Sequence, residues 1–208
     1  MNYFAHAHVA AGLDGHAGFV LGAMLPDFAH MLGTRIARIE HAQLRAGEAH
    51  HHRVDRAFHG APSFRELLLD GIRRLDHAGV SRGAARGAAH VGVELLLDGA
   101  LVGDADRDAA YRAALASAPE HDGAIRWGRS DAGARWARLR GRLVRAGLPH
   151  DLRDPARVLR RVVRVLEPRP RLRLDACEQP AVEAWLADAQ PRVASRASAL
   201  VEETLSRL

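Results

Sequence analysis

The sequence predicts an all-α protein that folds as a single helical bundle. Apolar residues make up 48% of its 208 residues but aromatic residues only 5%, and alanine, leucine and arginine dominate. This composition favours helix over sheet. Strand patterns are scarce, whereas signals for helix starts and ends recur along the chain. A chain of this length can bury a core of its own, so we predict one domain over residues 1–208 with short connections.

The first thirty residues contain two segments whose local structure bears on function. The segment Ala5–Ala11 contains His6 and His8, which share one side of a strand but lie about 200° apart on a helix. If the segment is helical, at most one of the two histidines binds a given ion. Pro26 follows an apolar segment and favours a bend or a first helical turn, which places Asp27 where a turn meets a helix.

Two helices are predicted in the middle of the chain. Pro62 and Ser63, followed by Glu66, form a capping-box signature ahead of an apolar stretch, and Gly79 ends the pattern. The stretch 84–101 is long and largely apolar, so we predict a central helix there.

Helical patterns continue to the end of the sequence. Asp131 is predicted to cap one helix, and Asp154 before Pro155 is an N-cap and first-turn pair that starts another. Both helices are amphipathic, with the apolar positions Trp136, Leu139, Leu143, Val158, Val162 and Leu166. The stretch 168–173 has two prolines among arginines and is predicted to be extended. A final helical region is predicted to be interrupted near Pro191.

The charge of the chain is unevenly distributed. All 30 basic side chains are arginines, and with 25 acidic residues they give a net charge of +5. Between Arg129 and Arg173, fourteen arginines stand against four acidic residues, a local charge of +10. This arginine-rich region would attract an anionic partner.

Several features are typical of a cytoplasmic protein. The single Cys177 excludes an internal disulfide bond and cannot form a thiolate metal cluster alone. The N-terminal sequence MNYFAHAHVA lacks a basic region followed by an apolar run, and no stretch approaches the roughly 20 apolar residues needed to cross a bilayer. We therefore expect a soluble, unprocessed protein in a reducing compartment.

Histidines are concentrated in the first ninety residues, which hold eleven of the thirteen. His51 and Asp55 are four residues apart, as are His90 and Glu94, so each pair can converge on one ion from a single helix face. Imidazole and carboxylate ligands without thiolate suit manganese or zinc, and iron or magnesium is also compatible. We predict a divalent-metal site with ligands from His6, His8, Asp27, His51, Asp55 and Glu94.

Each of these features also has an interpretation without a metal. A histidine and a carboxylate four residues apart more often form a surface hydrogen bond, and the histidine run 50–52 could be a solvated patch. Glu94 lies within the apolar sequence VGVELLL, where an unpaired carboxylate would cost several kcal/mol. We therefore expect Glu94 to have a cation or a hydrogen-bonded partner, and we interpret Asp98 as the end of the polar stripe.

Four short motifs resemble, in order and approximate spacing, the acyl carrier protein phosphodiesterases. They are MNYFAHAHVA at the N-terminus, GAMLPDF at 22–28, HHRVD at 51–55 and RPRL at 169–172. The resemblance implies an all-helical, metal-dependent enzyme related to the HD-domain phosphohydrolases, which removes the 4′-phosphopantetheine arm from a carrier protein. It also implies functional roles for Asp27, His51 and Asp55. His6 and His8 match a pair of histidines near the N-terminus of that family.

The sequence departs from that family at two places. Where the family has an aspartate followed by a histidine on its central helix, this chain has Glu94 followed by Leu95. The stretch 33–49 is also longer than the corresponding stretch of that family. The carboxylate is kept and the histidine is not, so the metal geometry is expected to differ from that of the family.

Together these observations predict a mechanism. Asp27, His51, Asp55 and Glu94 would hold the metal, and His52 or His90 would donate a proton to the departing serine oxygen. Arg53 would bind the phosphate. Carrier proteins are acidic, so two arginine faces are predicted to dock them, consisting of Arg138, Arg142 and Arg145 and of Arg157, Arg161 and Arg164.

Two other functions are compatible with the sequence. The segment LGAMLPDFAHM is similar to zinc-dependent phospholipase C-like proteins, and other HD-type phosphohydrolases share the same ligand types. A non-catalytic helical module could instead use its arginines to bind an acidic surface. Nucleic acid is the less favoured partner, because only Trp127 and Trp136 lie near the arginines and no base-reading motif is present.

Overall fold

A computed structural model describes all 208 residues and confirms the all-α fold class. Nine α-helices are joined by short connections, three of which form single 3₁₀ turns. The helices are α1 (Tyr3–Leu13), α2 (Ala17–Met31), α3 (Ala42–Gly60), α4 (Pro62–His77), α5 (Arg82–Leu101), α6 (Ala105–His121), α7 (Ala132–Ala146), α8 (Pro155–Leu166) and α9 (Gln179–Leu205). Two short strands, β1 (Ile36–Ile39) and β2 (Ile125–Trp127), pair antiparallel. No helix combines the length and the apolarity that crossing a bilayer requires.

The chain divides into two compact units, each built from two stretches of sequence. Unit 1 consists of Met1–Arg56 and Val102–Pro149, and unit 2 consists of Ala57–Leu101 and His150–Leu208. That residues 1–208 form one domain stays a prediction.

Unit 1 is organised around α1, α2 and α6, with α7 packed on α6. Its core is aromatic: the Phe4 and Tyr111 rings meet edge to face at 5.1 Å, and Phe28 stacks on Trp136 at 5.2 Å. The Trp136 Nε1–H donates to Asp122 Oδ1 at 2.8 Å, which satisfies the polar edge of an indole that is almost fully buried. Trp136 is therefore a core residue of α7, as its helical spacing predicted.

Two glycines let α2 and α3 cross at backbone contact. A Cβ on Gly22 would lie 2.3 Å from the carbonyl oxygen of Leu44, and one on Gly47 would lie 2.1 Å from that of Phe19. Both distances are far below van der Waals contact, so any side chain at either position would push the helices apart. This close crossing brings His51, one turn after Gly47, against the backbone of α2.

Unit 2 is built on α5, which contacts α4, α8 and α9. The sequence predicted a central helix over 84–101, and this is confirmed. Gly71 of α4 and Gly92 of α5 both lie against the Trp185 ring of α9, where an added Cβ would come within 2.7 Å of ring carbons. The indole thus fills the space that the two glycines leave between three helices.

The N-terminus of α4 differs from the sequence prediction. Ala61 is the N-cap without a side-chain hydrogen bond, and Pro62 occupies the first turn. Glu203 of α9 accepts the Ser63 backbone N–H at 3.0 Å and also the Ser63 hydroxyl. The predicted capping box between Ser63 and Glu66 is therefore wrong, because a carboxylate distant in sequence takes the role that the local pattern gave to Glu66.

Three proline-based predictions are also wrong. Pro26 lies inside α2 and Pro191 inside α9, and neither interrupts its helix. Ala187, whose carbonyl loses its partner at Pro191, is exposed, so water can satisfy that oxygen. The stretch 168–173 contains turns, with the Leu172 N–H donating to the Arg169 carbonyl, and is not extended. The Asp154 N-cap is confirmed, since its side chain accepts the Ala156 N–H at 2.9 Å.

Candidate metal centre

Three helices of unit 1 bring His6, Asp27 and His51 together. One ligand-type atom from each residue lies within 4.8 Å of the other two. The two imidazoles stack with ring centroids 3.8 Å apart, and both side chains are buried while Asp27 is partly exposed. We call these three residues the first group. They are 21 to 45 positions apart in sequence, so only the crossing of α1, α2 and α3 assembles them.

The His51 ring is held in one tautomer by α2. Its Nδ1 donates to the carbonyl oxygen of Ala23 at 2.8 Å, which leaves the lone pair of the imidazole on Nε2. Burial lowers the pKa of His51 to about 4, so the ring is neutral at pH 7. A neutral imidazole whose other nitrogen donates to a carbonyl is the usual state of a metal-binding histidine.

The carbonyl of Ala23 lies in the helical turn that Pro26 disturbs. A proline inside a helix removes one backbone hydrogen bond and crowds the carbonyl four residues earlier, which loosens that turn. The Ala23 oxygen is next to the Gly22 carbonyl, which has no N–H partner at Pro26, and it accepts the hydrogen bond from His51. Pro26 thus lies one residue before Asp27 and three after the carbonyl that orients His51.

Asp55 lies beside the first group, one helical turn after His51. Its Oδ1 is 3.9 Å from His6 Nε2 and 3.0 Å from the amino group of Met1. The side chain is 39% exposed, so this carboxylate forms the solvent-facing edge of the arrangement.

His6 and His8 have different surroundings because α1 is helical through both. His6 belongs to the first group, and His8 does not. His8 is buried, and its Nδ1 has no hydrogen-bond partner. Burial, with a further contribution from the Arg107 charge, lowers the pKa of His8 to about 4. Of the two histidines only His6 lies in the first group, and that at most one of them binds an ion stays a prediction.

His52 and Arg53 lie on the exposed side of α3. The His52 ring contacts the His51 ring edge to face, with centroids 5.2 Å apart. His52 is therefore next to the first group and open to solvent, while His50 on the same helix is buried against Phe19. Arg53 is exposed two positions after His51, and its contact with a phosphate stays a prediction.

Glu94, predicted as a ligand beside Asp27 and His51, belongs to a different set of side chains in unit 2. His90 Nε2 is 3.0 Å from Glu94 Oε1, His59 Nε2 is 3.3 Å from the same oxygen, and the two nitrogens are 3.2 Å apart. We call His59, His90 and Glu94 the second group. The expectation that Glu94 has a polar partner is confirmed, and Asp98 is buried in α5 outside both groups.

The environment of Glu94 favours its ionised form. Burial raises the pKa of this carboxyl, nearby positive charge lowers it, hydrogen bonds with His59 and His90 lower it further, and its net pKa lies well below the ordinary value. Glu94 is therefore a carboxylate at neutral pH, as a cation ligand must be.

His59 was not among the residues predicted from the sequence. The signal that would have found it is periodicity, since His51, Asp55 and His59 follow one another at intervals of four on α3. Only His51 and Asp55 were among the predicted ligands.

The predicted arginine faces lie on α7 in unit 1 and on α8 in unit 2. On α7, Arg138, Arg142 and Arg145 are exposed and make no ion pair with a carboxylate, opposite a buried side of Trp136, Leu139 and Leu143. On α8, Arg161 pairs with Asp151 at 3.0 Å and Arg157 is 3.9 Å from Asp154, while Arg164 is exposed. Charge on α8 is thus partly neutralised within unit 2.

No family model, curated protein or solved structure matches this chain in the comparisons with known proteins.

Proposed function

We propose that this chain is a metal-dependent phosphodiester hydrolase whose cation is held in unit 1 by His6, Asp27 and His51, with Asp55 beside them. The observation that supports it most directly is the hydrogen bond from His51 Nδ1 to the Ala23 carbonyl. This bond presents the Nε2 lone pair to the same small space as the His6 ring and the Asp27 carboxylate.

The donor set fits a first-row divalent cation. Two imidazoles and one or two carboxylates, without thiolate, suit zinc or manganese better than magnesium, which prefers oxygen ligands and keeps its water. Asp27 and Asp55 are the more exposed members, so the solvent side of the first group is where a substrate would enter.

The chemistry needed is the attack of water on a phosphodiester, which is extremely slow without help. His6, Asp27 and His51 would hold a divalent ion, which would supply neutralisation of phosphoryl charge and a more acidic water. His52 would donate the proton to the leaving oxygen, because its ring touches His51 and is open to solvent. Arg53, the exposed residue that follows His52 in sequence, would bind a phosphoryl oxygen.

The proposed substrate is holo-acyl carrier protein, from which hydrolysis would release 4′-phosphopantetheine. This part of the proposal follows the resemblance of the four sequence motifs. The exposed arginines of α7 and α8 provide positive surfaces for an acidic protein.

The experiment measures metal and product together. Protein without a histidine tag is loaded with manganese or zinc, its bound metal is counted, and a holo-carrier protein is analysed by mass spectrometry after incubation. We expect loss of the phosphopantetheine mass, abolished in Asp27→Asn and His51→Gln. The exposed His77→Gln on α4 is the matched control and should keep full activity.

Other outcomes assign other functions. Cleavage of phospholipid or of a simple diester with the carrier untouched would support the phospholipase C-like or another HD-type reading and exclude the carrier substrate. Binding of acidic partners without any bound metal would support a non-catalytic module and exclude a hydrolase.

A further inference from the structure

We infer that the second group, His59, His90 and Glu94, is a cation site of its own in unit 2. It is made by the end of α3 and one face of α5. This inference goes beyond the proposed hydrolase, which uses the first group, and it does not depend on that activity.

The contacts within the second group cannot all be hydrogen bonds. An imidazole Nε2 carries either one proton or one lone pair in the plane of its ring, and a carboxylate oxygen only accepts. With two nitrogens and one oxygen in mutual contact, at least one of the three contacts joins two protons or two lone pairs. The structure nevertheless holds all three atoms within 3.3 Å of one another.

A cation removes this conflict, because it takes a lone pair from each atom at once. The ligand atoms of a tetrahedral zinc ion, at bonds of about 2.0–2.1 Å, are about 3.3 Å from each other. The three observed separations are 3.0, 3.2 and 3.3 Å. Oε1 and the two Nε2 atoms therefore have the spacing of one face of such a coordination shell.

The ring orientations are fixed by packing. The buried Phe64 of α4 meets the His59 ring at 5.2 Å and the His90 ring at 5.6 Å, both nearly perpendicular. The two imidazoles stack at 5.0 Å between their centroids. Ligands that are held in place before binding lose little conformational freedom when the ion arrives.

The class of ion follows from the ligands and from their exposure. Two imidazoles with one carboxylate suit zinc, cobalt or iron(II) and disfavour magnesium and calcium. The side chains of His59 and His90 are 32% and 39% exposed, so a bound ion would keep a position open to water or to an anionic oxygen. Three protein ligands and an open position are typical of a reactive site, whereas structural zinc is enclosed by four.

The test is a cobalt(II) titration of the full chain without a histidine tag, followed by visible absorption and by metal counting after dialysis. We expect two ions per wild-type chain. His59→Gln and Glu94→Gln should each bind one ion, with affinity at the altered group reduced more than about 100-fold. Loss of a residue that only hydrogen-bonds to a ligand costs about 10- to 100-fold, and here the ligand itself is lost. His51→Gln should also bind one ion and keep the absorption of the second group.

The matched control is His77→Gln, which removes an exposed histidine of unit 2 and should still bind two ions. Glu94→Gln keeps the size of the side chain, and melting curves in chelator check that each variant is folded. Should His59→Gln and Glu94→Gln both fold and bind as many ions as the wild type, the inference is wrong. It is equally wrong if the wild type binds one ion that His51→Gln removes. If the wild type binds both ions but does not hydrolyse the substrate, only the proposed function is contradicted.

Discussion

His51 Nδ1 and the carbonyl oxygen of Ala23 are 2.8 Å apart, and this hydrogen bond joins α3 to α2 at the first group. It depends on the close crossing of the two helices, which Gly22 and Gly47 permit. The tautomer of His51, and with it the nitrogen available to a cation, is therefore set by two residues without side chains.

Gly47→Ala is expected to destabilise the protein by about 3 kcal/mol and to weaken metal binding at the first group. The added methyl group would lie 2.1 Å from the Phe19 carbonyl oxygen, so α2 and α3 must separate and the bond from His51 to Ala23 must lengthen. Urea denaturation gives the loss of stability, and cobalt titration gives the affinity.

The matched control for this substitution is Gly133→Ala. Gly133 is an exposed position of α7 where an added Cβ meets nothing within 4 Å, so alanine there should stabilise the helix by about 0.5–1 kcal/mol. Equal stability of Gly47→Ala and the wild type would show that the two helices are not held at backbone contact.

Acidification below pH 6.5 is expected to destabilise the protein through His8. The pKa of His8 is about 4 in the folded chain against 6.5 in an unfolded one, because burial disfavours the charged ring. The unfolded state therefore takes up a proton first, and stability falls as pH drops from about 7 to 5, by about 2 kcal/mol from this residue. Above about pH 7 the ring is neutral in both states and contributes no pH dependence.

Denaturation curves in metal-free buffer between pH 7.5 and pH 5 measure this effect. His8→Gln removes the titrating group, so the free energy of unfolding should depend less on pH than in the wild type. His51, with a pKa of about 4 for the same reason, should retain its share of the pH dependence in that variant. Parallel curves for wild type and His8→Gln would mean that His8 is not buried in the neutral form.

Glu203→Ala is expected to destabilise the N-terminus of α4 by about 1 kcal/mol. Its carboxylate accepts the Ser63 N–H and hydroxyl, and these bonds hold the pKa of Glu203 below its ordinary value. The contribution of Glu203 to stability is therefore present at pH 7 and lost as pH falls through that lowered pKa. Glu202→Ala, an exposed neighbour on α9, is the control for the helix propensity of the substitution. A cost equal to that of Glu202→Ala would contradict the cap.

Local signals in the sequence predicted helices at α4, α5, α7, α8 and α9 but not all of their ends, and they did not predict the full extent of α1, α2 or α3. The apolar stretch of α5 and the Asp154 cap of α8 depend on residues a few positions apart, and both are confirmed. The cap of α4 comes from Glu203, 140 positions from Ser63, so no local pattern contains it. The helix α9 continues through Pro191 because the Ala187 carbonyl, which loses its hydrogen bond there, is exposed to water. Exposure depends on the tertiary structure, so local sequence cannot predict it.

The same distinction applies to the candidate sites. Spacing of four residues correctly placed His90 beside Glu94, since one helix sets both positions. It could not say which helices meet, and therefore placed Glu94 with Asp27 and His51, whereas the structure groups it with His59 and His90. The crossing that gathers His6, Asp27 and His51 depends on Gly22 and Gly47, whose role appears only when α2 and α3 are in contact.

Charge reversal on α7 is expected to slow the association of an acidic carrier protein more than charge reversal on α8. The exposed Arg142 and Arg145 make no ion pair, whereas on α8 Arg157 lies near Asp154 and part of the charge is already neutralised. Arg142→Glu with Arg145→Glu should lower the association rate about tenfold at low salt, because exposed charges act mainly on encounter. Arg157→Glu with Arg164→Glu is the matched control of equal net charge, and it should lower the rate less.

Stopped-flow binding at several salt concentrations measures both association rates, and the difference between the two variants should vanish at high salt, where the charges are screened. A larger effect from the α8 pair would assign carrier docking to unit 2, and equal rates for wild type and both variants would remove the arginines from the proposed function.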